Sequence, residues 1–129
     1  MTLRVKVSPG FCLYLSLAAL ILPLPWLCGL LVAAFVHEMG HFMALSFMKI
    51  PIRAVSMNFG GAKIYSSAMT LRQEKLAALA GPASGFVLCL LFPFFPEAAI
   101  CAAFQTAFNL LPIGSFDGRR IFCSRKNYQ

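Results

Sequence analysis

Apolar residues run almost unbroken from Phe11 to Met48, a stretch whose one acidic residue is Glu38 and which contains no Lys or Arg. A membrane-crossing helix needs about 20 residues, so this run is too long for a single span. Pro23-Leu24-Pro25-Trp26 divides it, because Pro disrupts helix interiors and Trp favours the bilayer interface. The pattern predicts spans over about 5–24 and about 26–48. Two more apolar stretches follow, 76–95 closed by Pro96-Glu97 and 98–113 broken by Pro112. The loop at 49–75 carries a different rhythm. Val55, Met57 and Phe59 alternate onto one face, as a strand requires, Gly60-Gly61 reads as a turn, and residues 62–66 return as a second strand. An ordinary surface hairpin is the plain alternative there. The expected fold is an all-α polytopic membrane protein, one domain over 1–129, with about four transmembrane helices and a small β-hairpin.

Composition agrees with lipid as the solvent. The chain has 129 residues, 60% hydrophobic and 12% charged, against about 25% charged in soluble domains. So short a chain has too little interior to hide that much apolar surface from water. The formal net charge of +7 would suit a nucleic-acid binder only if it formed a patch on a soluble fold. Here it sets topology instead. With four spans, all eleven basic residues fall on one side: Arg4 and Lys6, then Lys49, Arg53, Lys63, Arg72 and Lys75, then Arg119, Arg120, Arg125 and Lys126. The opposite side carries Glu97. The positive-inside rule then makes both termini and the 49–75 loop cytoplasmic, with the hairpin on that side. A cleavable signal peptide competes for the N-terminus, but Pro23, Pro25 and Trp26 follow its apolar stretch where small cleavage-site residues belong. The five cysteines are irregularly spaced with no CxxC, which indicates neither a disulfide framework nor a thiolate zinc site.

Within the second predicted span stand the chain's only histidines, in His37-Glu38-Met39-Gly40-His41. On a helix His37 and His41 share one face about 6 Å apart, close enough for both imidazoles to reach one metal ion. Glu38, rotated by about 100°, still reaches a water on that ion. The chemistry needs these types: two neutral nitrogens to hold zinc and a carboxylate to take the water's proton. The bland alternative is a pair of core histidines, which a membrane setting weakens because ionisable groups there are costly and usually functional. A catalytic zinc wants a third protein ligand. Glu74, Glu97 and Asp117 are the candidates. Glu97 falls on the far membrane side, and Glu74 lies between Arg72 and Lys75, where an exposed ion pair is the simpler role. Asp117 follows Pro112 and Gly114, which break the last span, and precedes Gly118; the competing reading is a plain Asp-Gly turn.

The two motifs together resemble the site-2 protease family of intramembrane zinc metalloproteases. His37, Glu38 and His41 match its HExxH, and Asn109, Pro112, Asp117 and Gly118 match its Asn-x-x-Pro-x-x-x-x-Asp-Gly. Asn58 to Ile64 and Leu79 to Gly85 are similar to its glycine-rich hairpin and Ala-Gly-Pro helix start, so the likeness covers about residues 30 to 122. It implies hydrolysis of a peptide bond in a transmembrane or membrane-associated protein substrate. His37, His41 and Asp117 would be the zinc ligands, Glu38 the general base, and Asn109 a polar group at the substrate or oxyanion. Gly60 and Gly61 would shape a hairpin that pairs with an unwound substrate, and Pro112 and Gly118 would support the site. The expected location is a bacterial plasma membrane, multi-pass, and the short form looks closest to the branch that processes sporulation sigma-factor precursors. Two departures stand out. Gly85 occupies the position where the family has asparagine, so either a polar contact is missing or Ser84 supplies it. The chain also ends at Gln129, soon after the Asp-Gly. These departures are the support for the rival reading, a silent or truncated family member that binds membrane partners. Against it, His37, Glu38, His41 and Asp117 are all intact. A metal-handling protein without hydrolase activity is a second rival, though such sites rarely include a free carboxylate beside the ligands. A regulatory membrane partner is left open.

Overall fold

The computed structural model describes residues 2–58, 61–114 and 116–123; Phe59, Gly60, Arg125 and Lys126 lie outside them. The order of elements is β1 (Arg4–Val7), α1 (Pro9–Ile21), α2 (Leu24–Phe47), β2 (Ile52–Asn58), β3 (Gly61–Ser66), α3 (Leu71–Cys89), α4 (Pro96–Asn109) and α5 (Asp117–Phe122). The molecule is mostly helical with one three-stranded sheet, ordered β1-β2-β3.

Only α2 is long and apolar enough to cross a bilayer among the described helices. Its 24 residues reach about 36 Å at 1.5 Å per residue. It starts behind Pro23 and stops abruptly in a Schellman motif. Lys49 takes the left-handed conformation (φ 56°), its N–H donates to the Ser46 carbonyl, and the Ile50 N–H donates to the Leu45 carbonyl, both at 3.0 Å. Leu45 and Ile50 are buried in one cluster, which supplies the apolar contact that accompanies this cap.

Three expected boundaries are corrected. The span expected at 5–24 is instead a strand followed by a 13-residue helix, about 20 Å long. Arg4-Val5-Lys6-Val7 alternates polar and apolar residues, and it pairs in parallel with β2, Val5 opposite Val55 and Val7 opposite Met57. The helix begins only at Ser8, whose hydroxyl accepts from the Phe11 N–H, with Pro9 at its first position. The expected hairpin is therefore part of a three-stranded sheet, and the protein is not all-α. The stretch expected at 76–95 is helical from Leu71, because Thr70 and Gln73 form a capping box, and it ends at Cys89. The stretch expected at 98–113 is helical over Pro96–Asn109 and stops before Pro112.

α2, α3 and α4 pack against one another through small residues. On α2 the buried positions are Gly29, Ala33, His37, Gly40 and Leu45, recurring every three to five residues along one side. They meet Ala77, Ala78, Gly81, Pro82 and Gly85 on α3, and Ala98, Ala99 and Ala102 on α4. Small side chains let the helix backbones approach one another closely. One cluster, Ala33, Leu88, Ala98 and Ala102, holds the three helices together, and a second, Leu45, Ile50 and Ala77 with Ile52 and Ile64 against it, ties the sheet to the end of α2. By contrast α1 buries no residue at all.

Candidate metal centre

His37 belongs to the buried stripe of α2, and His41 follows one turn later, so the helix aims both rings into the space between α2 and α3. Asp117 arrives from the other end of the chain. After Asn109 the backbone leaves α4, turns through Gly114 (φ 58°), and re-enters so that Asp117 opens α5. Gly118 lies so close to the Leu110 carbonyl that any Cβ there would collide with it. The Arg119 guanidinium donates to the Gly114 carbonyl at 3.0 Å, fastening the turn from outside. Pro112 is exposed within the turn.

Three atoms converge. His37 Nε2 and His41 Nε2 each lie 3.1 Å from Asp117 Oδ2, and 3.2 Å from each other. Ligands bound tetrahedrally at about 2.0–2.1 Å from one ion stand roughly 3.3 Å apart, so the triangle has the size of a zinc ligand face. Its chemistry points the same way. His41 Nδ1 donates to the Ala77 carbonyl at 2.7 Å, which leaves the lone pair on Nε2 aimed at the Asp117 carboxylate. Two acceptors at that distance repel unless a cation lies between them. A proton serves one pair; a metal ion serves all three ligands at once. The donor set and its spacing fit zinc, with His37, His41 and Asp117 as its ligands. Among the described residues these form one group able to hold a metal ion.

Gly81 makes room for this arrangement. A Cβ there would run into His41 Nε2 and stand 2.9 Å from His37 Nε2, so α3 can pass the ligands only with glycine at this position. Glu38 borders both clefts that open beside the triangle, together with His41 and Asp117. Asn109 lines the second cleft, and its Nδ2 donates to the Gln105 carbonyl one turn earlier at 3.0 Å. Gly61, the first residue of β3, takes φ 109° and faces the same cleft with Ala62 and Lys63. The two rejected acids lie elsewhere. Glu97 sits beside Gly29, two turns from His37, and Glu74 lies in the first turn of α3.

The structure also answers the departure at Gly85. The Ser84 hydroxyl lies 2.7 Å from the Gly81 carbonyl and 2.9 Å from the Val36 carbonyl, so it stitches α3 to α2 rather than facing the cleft. The space over Gly85 is filled from α4 by Thr106, whose hydroxyl occupies the place of any Cβ. Sequence reasoning missed Thr106, and it missed Gln105, Lys63 and Arg120 on the cleft walls. For Gln105 a signal existed: it is a polar residue in an apolar stretch, one helical turn before Asn109.

No family model matches the chain, and no curated protein matches it. Among solved structures it matches the Site-2 Protease from Methanocaldococcus jannaschii, with a TM-score of 0.74 at 21% identity. The match covers 94% of this chain and 66% of that one. The two proteins share a fold.

Proposed function

We propose that the chain is an intramembrane zinc endopeptidase of the site-2 protease family, cleaving a peptide bond in or near a transmembrane segment of a membrane-bound substrate. The observation that carries the proposal is the triangle of His37, His41 and Asp117, brought together from α2 and α5 at the spacing of a zinc ligand face. The shared fold and the exposed apolar helices support it. In this reading α1, α2, α3 and α4, with the bounds given above, make the membrane arrangement, and both termini and the sheet lie on the cytoplasmic side of a bacterial plasma membrane. His41 lies eight residues before Lys49, so the site is about 12 Å below that surface. Water reaches it through the clefts bordered by Lys63 and Arg120.

Zinc held by the three ligands would supply Lewis acidity, polarising the scissile carbonyl and making water acidic enough to react near neutral pH. Glu38 is the general base: it stands one residue beyond His37 on the cleft side and takes the attacking water's proton, then delivers it to the leaving amine. Asn109 holds the substrate near the scissile bond. A helical substrate hides its peptide bonds and must unwind, and strand addition to the open edge of β3 gives the unwound stretch hydrogen-bond partners.

The test uses purified protein in nanodiscs. Glu38→Gln should retain about one zinc per chain yet lose cleavage of a model transmembrane substrate by roughly 100- to 10,000-fold. His37→Ala should lose the zinc itself. Full cleavage by Glu38→Gln would remove the mechanism. Well-folded wild type without metal would move the chain to the silent membrane-binding role.

A further inference from the structure

The cleft beside the ligands has two walls of different kinds. One is β3 at Gly61, Ala62 and Lys63; the other is α4 at Gln105 and Asn109. Gln105 Oε1 is buried without a hydrogen-bond partner among the described residues. Leaving a buried acceptor unmade is costly, so a side chain held this way in a binding cleft points to a partner that arrives with the ligand.

The spacing suggests which partner. In a strand, successive residues turn their N–H and C=O groups to opposite edges, so groups facing one edge recur every second residue, about 6.6–6.8 Å apart. A substrate strand added to β3 satisfies only its inner edge. Its outer edge carries peptide groups that need partners wherever water is scarce. Gln105 and Asn109 are four residues apart on one helix, an axial separation of about 6 Å. Each ends in a primary amide, which offers the donor and the acceptor that a peptide unit needs.

We propose that Gln105 is a substrate-positioning residue. With Asn109 it forms a two-rung amide ladder that holds the outer edge of the substrate strand while β3 holds the inner one. The proposal rests on the endopeptidase reading for the identity of the strand, and it adds that recognition is directed at the backbone and so tolerates many side chains. Asn109 is already fixed for this task by its bond to the Gln105 carbonyl. Gln105 supplies the free acceptor.

An ester scan tests it. A synthetic Leu/Ala-rich transmembrane peptide with a central Gly-Pro is made as a series, each member replacing one backbone N–H by oxygen. Affinity for the Glu38→Gln protein in nanodiscs is read by fluorescence anisotropy, and cleavage by wild type is read in parallel. Pairing with β3 alone makes only alternate positions ester-sensitive. The ladder makes consecutive positions sensitive, each by about five- to tenfold. In Gln105→Met, a change of similar length checked for unchanged zinc content, one sensitive position should become indifferent to the ester. Strict alternation, or a scan that Gln105→Met leaves unchanged, overturns the ladder while strand addition and proteolysis stand. Consecutive sensitivity without any wild-type cleavage upholds the ladder and removes the protease reading. A peptide that does not bind at all removes both.

Discussion

The helices α1 and α2 are made of nearly the same material and behave in opposite ways. Both are strongly apolar, and α1 carries no charged residue, yet it buries nothing, whereas α2 buries five positions and carries the two histidines of the candidate metal centre. What separates them is that α3 and α4 pack against α2 and not against α1. On α2, Gly29, Ala33 and Gly40 fall on one side with His37 among them, so two other helices can approach that side closely. On α1 small residues also stand at Gly10, Ser16, Ala18 and Ala19, but none of them is buried by a neighbouring helix. Apolarity is common to both helices; packing against α3 and α4 made α2 the wall of a site. The lesson extends to the charges. Polar ligands persist in α2 because protein covers them, and no equivalent cover exists along α1.

That contrast can be broken most severely at the ligands' own clearance. Gly81→Ala puts a methyl group against His41 Nε2 and should abolish zinc binding, read as metal per chain, with the helices still formed by circular dichroism. Bound zinc near the wild-type level would mean that α3 does not approach the ligands as described. Next comes the ligand from α5. Asp117→Asn keeps the shape but gives up the anionic oxygen, and zinc affinity in a chelator competition should fall by about a hundredfold or more. Unchanged affinity would move the third-ligand role to another residue. The smallest effect sharpens the comparison itself. Ala33→Leu overfills the buried stripe and should destabilise the protein by about 1–3 kcal/mol, while Ala19→Leu on α1 should change stability by less than about 0.5 kcal/mol. Equal responses in thermal unfolding would erase the distinction between the two helices.

Much of the site could be read from spacing. His37 and His41 share a helix face because the helical period puts them there, and Glu38 follows from the same geometry. Pro112, Gly114 and Gly118 make Asp117 the favoured candidate for the third ligand, since they break the last span, but a plain Asp-Gly turn competes because local sequence does not show where the chain goes after α4. Closure depends on Gly118 passing the Leu110 carbonyl and on Arg119 fastening the turn, both contacts between segments. The strand β1 was misread for a related reason. Arg4-Val5-Lys6-Val7 carries the alternation of a strand, but its two cations also fit the flank of a membrane span, and only the presence of β2 decides between them.

The sequence by itself determined the apolar character of the helices, the helical periods, the strand pair at 52–66 and the shared face of His37 and His41, because these follow from composition and local spacing. Tertiary structure alone decided that residues 4–7 join the sheet, that Gly81 and Gly85 are points of close approach, and how closely Asp117 meets the histidines. Each of those outcomes turns on distances between segments far apart in the chain. Such distances are fixed by how small residues let helices approach, which no window along the sequence contains.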